Sequence, residues 1–259
     1  MYEFDYKRPG TLDEAASLLN EDTVLLAGGQ TLLPTLKQRL AQPEALVDLS
    51  AIDSLRGVCP DGDQLAIGAM TTHAEVAREA TIPALAALAG DIGDPQVRNR
   101  GTIGGSIANN DPAADYPAAV VGLNAVVNTN KRVISADDFF VDLFETALDE
   151  GEIITNVTFP TPDAAAYMKF DNPASRYAIV GVMVAKTSAG VRVAVTGAGP
   201  CVFRQSEMEA ALSSNFTPQA LENITVSADG LNADIHASAE YRANLIKVLA
   251  KRAVAQING

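Results

Sequence analysis

Ala27-Gly28-Gly29-Gln30-Thr31 and Thr102-Ile103-Gly104-Gly105-Ser106 are the two small-residue stretches on which the reading of this chain turns. The first follows Val24-Leu25-Leu26, apolar enough for a buried strand. It precedes residues 31–40, whose leucines and length suit a helix with Pro34 in its first turn. Glycine has no Cβ and permits positive φ, so a turn at this point can present amide N–H groups, with the helix dipole adding partial positive charge. A pyrophosphate would be held well there; a plain tight turn is the alternative. The second stretch lies within residues 91–117, a segment so rich in Gly, Asn, Asp and Pro that a long loop is expected. Loops of that length are functional or disordered, and the interspersed Ile, Val and Ala favour function.

The order of the remaining elements suggests α+β organisation. Thr11 and Glu14 have capping-box spacing before a helix at residues 15–19, and short strands are expected at 24–27 and 45–49. Strand-like pieces at 65–68, 125–128, 132–134 and 153–159 surround helices and the long loop. After Pro160-Thr161-Pro162, strands are expected at 165–170, 179–186 and 191–197, the last two joined as a hairpin. A final helix at about 238–257 repeats Tyr241, Leu245, Leu249, Ala253 and Ile257 on one face.

Composition narrows the function. The chain has 259 residues, 47% of them hydrophobic, and no apolar run long enough for a membrane span. A net charge of -13 argues against a nucleic-acid partner. Met1-Tyr2-Glu3-Phe4-Asp5 lacks the order of a secretory signal, and Cys59 and Cys201 suggest no disulfide framework, so a cytoplasmic protein is expected. Two cysteines cannot ligate a four-cysteine iron-sulfur cluster, and His73 and His236 have no zinc-site spacing. Thr72 and Glu75 have capping-box spacing, so a helix start explains His73 better than catalysis does. Ser106 lacks a nucleophile elbow.

Several segments taken together resemble the FAD-binding medium subunits of molybdenum hydroxylases, the group containing carbon monoxide dehydrogenase medium chains and the xanthine dehydrogenase flavin domain. They are Tyr6-Lys7-Arg8-Pro9, residues 27–31, Leu46-Val47-Asp48-Leu49, Thr71-Thr72-His73-Ala74-Glu75, the long loop from Gln96-Val97-Arg98-Asn99-Arg100-Gly101 to Asp115, and Ala239-Glu240-Tyr241-Arg242. The resemblance implies a two-lobed FAD-binding domain of the PCMH type, with lobes at residues 1–55 and 56–162. A smaller α+β C-terminal domain with a three-stranded antiparallel sheet and helices would follow at 163–259. It implies that Ala27, Gly28, Gly29, Gln30 and Thr31 hold the FAD pyrophosphate. Thr102, Ile103, Gly104, Gly105 and Ser106 would approach the same phosphates and the ribityl chain. Asp115 falls on an aspartate that contacts the cofactor in the family, with helix capping as the alternative; Asp111 before Pro112 has a similar ambiguity.

Ile92 stands where the xanthine dehydrogenase branch has an aromatic residue, so aliphatic packing replaces any ring stacking there. In similar proteins the loop of residues 171–177 borders the isoalloxazine ring. Tyr177 would cover a ring face or hydrogen-bond its edge, or else close a hydrophobic cluster. Lys169 and Arg176 would offer positive charge to a reduced flavin, or lie solvated at strand ends.

The implied function is that of an FAD-carrying electron-transfer subunit of a heterotrimeric molybdenum hydroxylase. Its implied partners are a large molybdenum-cofactor subunit and a small subunit with two [2Fe-2S] clusters, and no catalytic residue is expected in this chain. A stand-alone FAD oxidoreductase and an assembly subunit that has lost FAD are the alternatives. The substrate and the electron acceptor are set elsewhere.

Overall fold

The computed structural model describes all residues, Met1–Gly259. The N-terminal part is built from β1 (Asp5–Lys7), α1 (Leu12–Ser17), β2 (Thr23–Leu26), α2 (Leu32–Lys37) and β3 (Ala45–Asp48). The strands form one parallel sheet in the order β1-β3-β2. Thr11 caps α1 by accepting from the Glu14 amide, but the Glu14 carboxylate turns back to the Gly10 amide, so the expected box is displaced by one residue. Ala15, Val47, Leu49 and Ile52 belong to a small core beneath this sheet.

The central part runs through β4 (Val58–Asp61), β5 (Gln64–Gly68), α3 (His73–Glu79), α4 (Pro83–Gly90), α5 (Pro95–Arg98), α6 (Ile103–Asn109) and α7 (Tyr116–Gly122). It continues through β6 (Val126–Thr129), β7 (Val133–Ser135), α8 (Ala136–Phe139), β8 (Phe140–Asp142), β9 (Glu145–Thr146) and β10 (Ile154–Pro160). Five strands form an antiparallel sheet in the order β4-β5-β10-β6-β7, and β8 with β9 makes a separate hairpin. The Thr72–Glu75 capping box is complete at the start of α3, each side chain bonding the other residue's backbone amide.

The expected long loop is instead two short helices in part, because Thr102 caps a real helical turn at Ile103. Consecutive glycines are poor helix formers. Here two of the first-turn amides are satisfied from outside the helix, Ile103 N–H on Thr71 O at 3.1 Å and Gly104 N–H on Ala69 O at 2.9 Å.

The C-terminal part consists of β11 (Ala164–Asp171), β12 (Ala178–Thr187), β13 (Gly190–Thr196), β14 (Phe203–Arg204), α9 (Ser206–Ser214) and α10 (Ala239–Asn258). The expected three-stranded antiparallel sheet is present and gains the two-residue β14 as a fourth member. Ser188 and Ala189 connect β12 to β13, with Gly190 at φ +112 on the return. The buried face of α10 includes Arg242, Leu245, Ile246, Leu249, Ala253 and Val254, so the expected Leu245, Leu249 and Ala253 lie on it. Tyr241 lies at the edge of that face, its ring against Phe170.

Candidate functional site

A cavity of about 710 Å³ lies where the loop after β2, the start of α6 and the loop before β12 converge. Pockets for small molecules and cofactors span roughly 300–1,000 Å³. Leu25, Ile92 and Val97 supply apolar wall, and the two glycine stretches supply backbone.

The two stretches contribute differently. Gly28, Gly29, Gln30 and Thr31 line the cavity, and none of their four amides donates to a protein acceptor. Gly29 has φ +72, which turns the backbone sharply before α2. Gly28 and Gly29 are half-buried and Gln30 and Thr31 exposed, and successive backbone amides without protein partners form an anion-binding concavity. Ala27, immediately before them, lines the same cavity.

In the second stretch the corresponding amides are occupied by the fold. Besides Ile103 and Gly104, Gly105 donates to the Thr102 hydroxyl at 3.1 Å and Ser106 to the Thr102 carbonyl at 3.0 Å. Thr102, Gly104, Gly105 and Ser106 still line the cavity. Ile103 does not: its side chain is wholly buried in the central core, so the structure gives it a packing position rather than a cavity position. The use of small residues in this stretch is steric. A Cβ at Gly104 would fall 2.6 Å from that of Ala69, and one at Gly105 2.9 Å from the Thr102 hydroxyl.

Asp111 and Asp115 both reach the cavity wall. Asp111 accepts from the Ala113 amide at 2.9 Å, closing a local turn. Asp115 occupies the residue before α7 but makes no capping bond, so the capping alternative fails. Its carboxylate accepts from Tyr167 Oη at 2.7 Å and pairs with Lys169 Nζ at 3.2 Å. Burial raises its pKa to about 6, against the lowering influence of Lys169 and Tyr167.

Lys169 is buried, not solvated: its ammonium also donates to Asp91 O at 2.8 Å and Arg176 O at 3.0 Å, and faces the Asp91 carboxylate at 3.3 Å. Side chains two apart on a strand share a face, so Tyr167 and Lys169 on β11 are a pair that sequence spacing alone could have flagged. Arg176 is exposed in the cavity wall, at φ +60. Tyr177 follows it, 45% exposed, with its ring in the same wall.

His73 is a wall residue that the capping argument passed over. It is 5% exposed, its Nδ1 has no partner, and its ring lies 5.3 Å from that of Tyr116. Burial, aided by nearby Arg98, lowers its pKa to about 4 and keeps the imidazole neutral. Glu152, also in the wall, is held down to about 2, chiefly by its hydrogen bonds with Arg132.

A parallel lobe whose glycine loop offers unpaired amides, facing an α+β lobe across a cavity of cofactor size, defines a nucleotide-cofactor-binding protein. The chain belongs to the family described as the FAD binding domain in molybdopterin dehydrogenase, matched over residues 2–162. Residues 165–257 match the CO dehydrogenase flavoprotein C-terminal domain.

It is 36% identical to the nicotine 6-hydroxylase medium subunit of Paenarthrobacter nicotinovorans, over 97% of this chain and 96% of that one. It is 34% identical to the carbon monoxide dehydrogenase medium chain of Hydrogenophaga pseudoflava, with 97% and 96% covered. Among solved structures, reconstituted CO dehydrogenase from Oligotropha carboxidovorans superposes with a TM-score of 0.92 at 32% identity, covering 99% of this chain and 98% of that one. FAD is the cofactor of this domain family, and these relatives are subunits of oxidoreductases. No helix is long and apolar enough to cross a membrane.

Proposed function

We propose that this chain is the FAD-carrying electron-transfer subunit of a heterotrimeric molybdenum hydroxylase. In this reading it takes electrons from the iron-sulfur clusters of a small subunit, which are reduced in turn by a large molybdenum-cofactor subunit, and passes them to an external acceptor. The observation that carries the reading is the run of four unpaired amides at residues 28–31, opening on a cavity that also meets the C-terminal loop.

In the proposed arrangement those amides hold the pyrophosphate. Gly105 and Ser106 let the remainder of the cofactor lie close to the start of α6. Thr102 and Gly104 hold that turn in place, with Ile103 anchoring it in the core. Asp115 stands ready to accept from cofactor hydroxyls while Lys169 balances its charge, and Tyr177 borders the ring. Bound flavin supplies the capacity to exchange one or two electrons. Binding, orientation and exclusion of water are the work of this chain, and no acid or base is assigned.

We place the first lobe at residues 1–55, the second at 56–162 and the C-terminal domain at 163–259. Separate hydrophobic clusters favour this division, although Met183, Ala185, Ala194 and Val202 join the central one and Met70 and Ile153 the first. Two free cysteines suit a cytoplasmic setting.

The test is an absorbance spectrum of the native assembly with identification of released cofactors and co-purifying chains. Flavin and iron-sulfur bands with two further subunits are expected. FAD on this chain alone would indicate a stand-alone oxidoreductase, and no flavin would overturn both readings.

A further inference from the structure

The two glycine stretches meet the cavity with different resources. The amides of Gly28, Gly29, Gln30 and Thr31 are free, whereas those of Ile103, Gly104, Gly105 and Ser106 are bonded within the fold. An anionic ligand lying between the stretches gains backbone donors from the first and none from those four amides of the second. On that side the donor has to come from a side chain.

His73 is placed to supply it. The residue lines the cavity although it is 5% exposed, and its backbone is fixed there by donation from its amide to Gly101 O at 2.9 Å. One edge of its ring lies against Gly101: a Cβ at that glycine would fall 2.4 Å from Nε2 and 2.9 Å from Cδ2. Gly101 in turn meets the first stretch, since a Cβ at Gly28 would fall 2.7 Å from the Gly101 Cα. The imidazole is thus one glycine away from the start of the free amides, and that glycine, itself in the cavity wall, has no side chain to screen one from the other.

The fold leaves the ring unsatisfied. Nδ1 is buried without a hydrogen-bond partner, and the capping box does not explain it, because Thr72 and Glu75 complete that box with no part of the imidazole. Tyr116, whose ring centroid lies 5.3 Å away, has an unpartnered hydroxyl too, but it is wholly buried and outside the cavity wall. Nearby Arg98 is committed to Ile92 O at 3.0 Å and Gly93 O at 2.9 Å. His73 is therefore the buried polar side chain of this wall that is left for a ligand. Being neutral, it carries one N–H, and towards a phosphate oxygen that bond is charge-assisted.

We infer that His73 is a cofactor-binding residue whose Nε2–H donates to an oxygen of the pyrophosphate held by the amides of residues 28–31. The inference rests on the flavin reading proposed above. With the proton on Nε2, the buried Nδ1 is the bare nitrogen, so no N–H is stranded in the core. The contact fastens the start of α3 to the cofactor at a place where the second glycine stretch, its amides already taken, supplies shape alone.

The test is the rate of FAD release from the purified native complex, followed as flavin fluorescence after dilution, with flavin content measured on the same samples. His73→Leu keeps much of the bulk and removes the donor, whereas His73→Gln restores an N–H at similar reach. Release about tenfold faster from His73→Leu, and near the native rate from His73→Gln, is the expected result for one lost bond to a charged group. If the leucine variant does not assemble, His73→Asn, whose amide stops short of the site, takes its place with the same expectation. Release at the native rate from the leucine or asparagine variant would overturn the inference, and so would equally fast release from the glutamine variant, which would leave the imidazole a packing role alone. A native complex that contains no flavin would overturn the flavin reading itself, and the inference with it.

Discussion

Gly28 sits directly against the backbone of Arg100: a Cβ at position 28 would fall 2.1 Å from the Arg100 carbonyl oxygen. That contact brings the loop after β2 up to the segment leading into α6, so the two glycine stretches close around one cavity. Gly28→Ala should push them apart at a cost of about 1–3 kcal/mol. The expected outcome is a folded chain with much reduced flavin-to-protein ratio, read from absorbance after gel filtration. Full flavin retention would remove this loop from the binding site.

His73 gives a pH signature of defined sign. Its pKa is about 4 in the folded chain against 6.5 as a reference, so between those values the unfolded state binds the extra proton. Stability contributed by neutral His73 is complete above pH 6.5 and is lost as pH falls towards 4, by up to about 1.4 kcal/mol per pH unit. Urea midpoints of His73→Leu should fall less than those of the native chain between pH 7 and 4. An identical fall in both would show that His73 does not titrate in that window.

Asp115 works in the opposite direction. Its folded pKa of about 6 exceeds the reference of 3.8, so the folded state holds the proton longer. This group therefore imposes no penalty below pH 3.8, and a growing one as pH rises through 6. Asp115→Asn should remove that pH-dependent component while leaving Lys169 short of a partner. The difference between native and variant midpoints should then be larger at pH 4.5 than at pH 7.5, in the native chain's favour. A constant difference across the range would mean that Asp115 is ionised throughout.

Arg242 is a structural cation. Its guanidinium bonds Ile179 O and Gly197 O from α10, and Arg242→Ala would leave both buried carbonyls without that donor. Each is expected to cost about 1–3 kcal/mol, lowering the urea midpoint by several tenths molar or more. Asp234→Ala should cost less, because that carboxylate is 46% exposed. Equal effects would place the importance in the ion pair and not in the carbonyl contacts.

Local chemistry was legible wherever a short-range rule decided the structure. Thr72 and Glu75 predicted a helix start that is present, and two strand-like segments joined by residues 187–190 predicted the β12–β13 hairpin. Rules of this kind fail where partners distant in sequence decide. Gly104 and Gly105 read as loop residues, but carbonyls at 69 and 71 stabilise a helical turn beginning at Ile103. Lys169 read equally well as a solvated strand-end residue, because Asp91 lies 78 positions away. On α10 the expected Leu245, Leu249 and Ala253 are buried, but the carbonyls of Ile179 and Gly197 draw Arg242 inward and leave Tyr241 at the edge. The cavity-wall residues were mostly readable because glycine stretches announce close backbone approach, whereas His73 was hidden behind a capping role that it also borders.

Lys169 belongs to the first strand of the C-terminal sheet, yet the two carboxylates it faces are Asp91 and Asp115, from the preceding part of the chain. The C-terminal segment is therefore not an interchangeable module. Recombining it between relatives would join surfaces of matching shape but would break a charge triad, buried at Lys169 and Asp115 and half exposed at Asp91, unless all three positions were inherited together. Drift at any one of them would constrain the other two, so this small cluster ties the history of the second half of the molecule to that of the first.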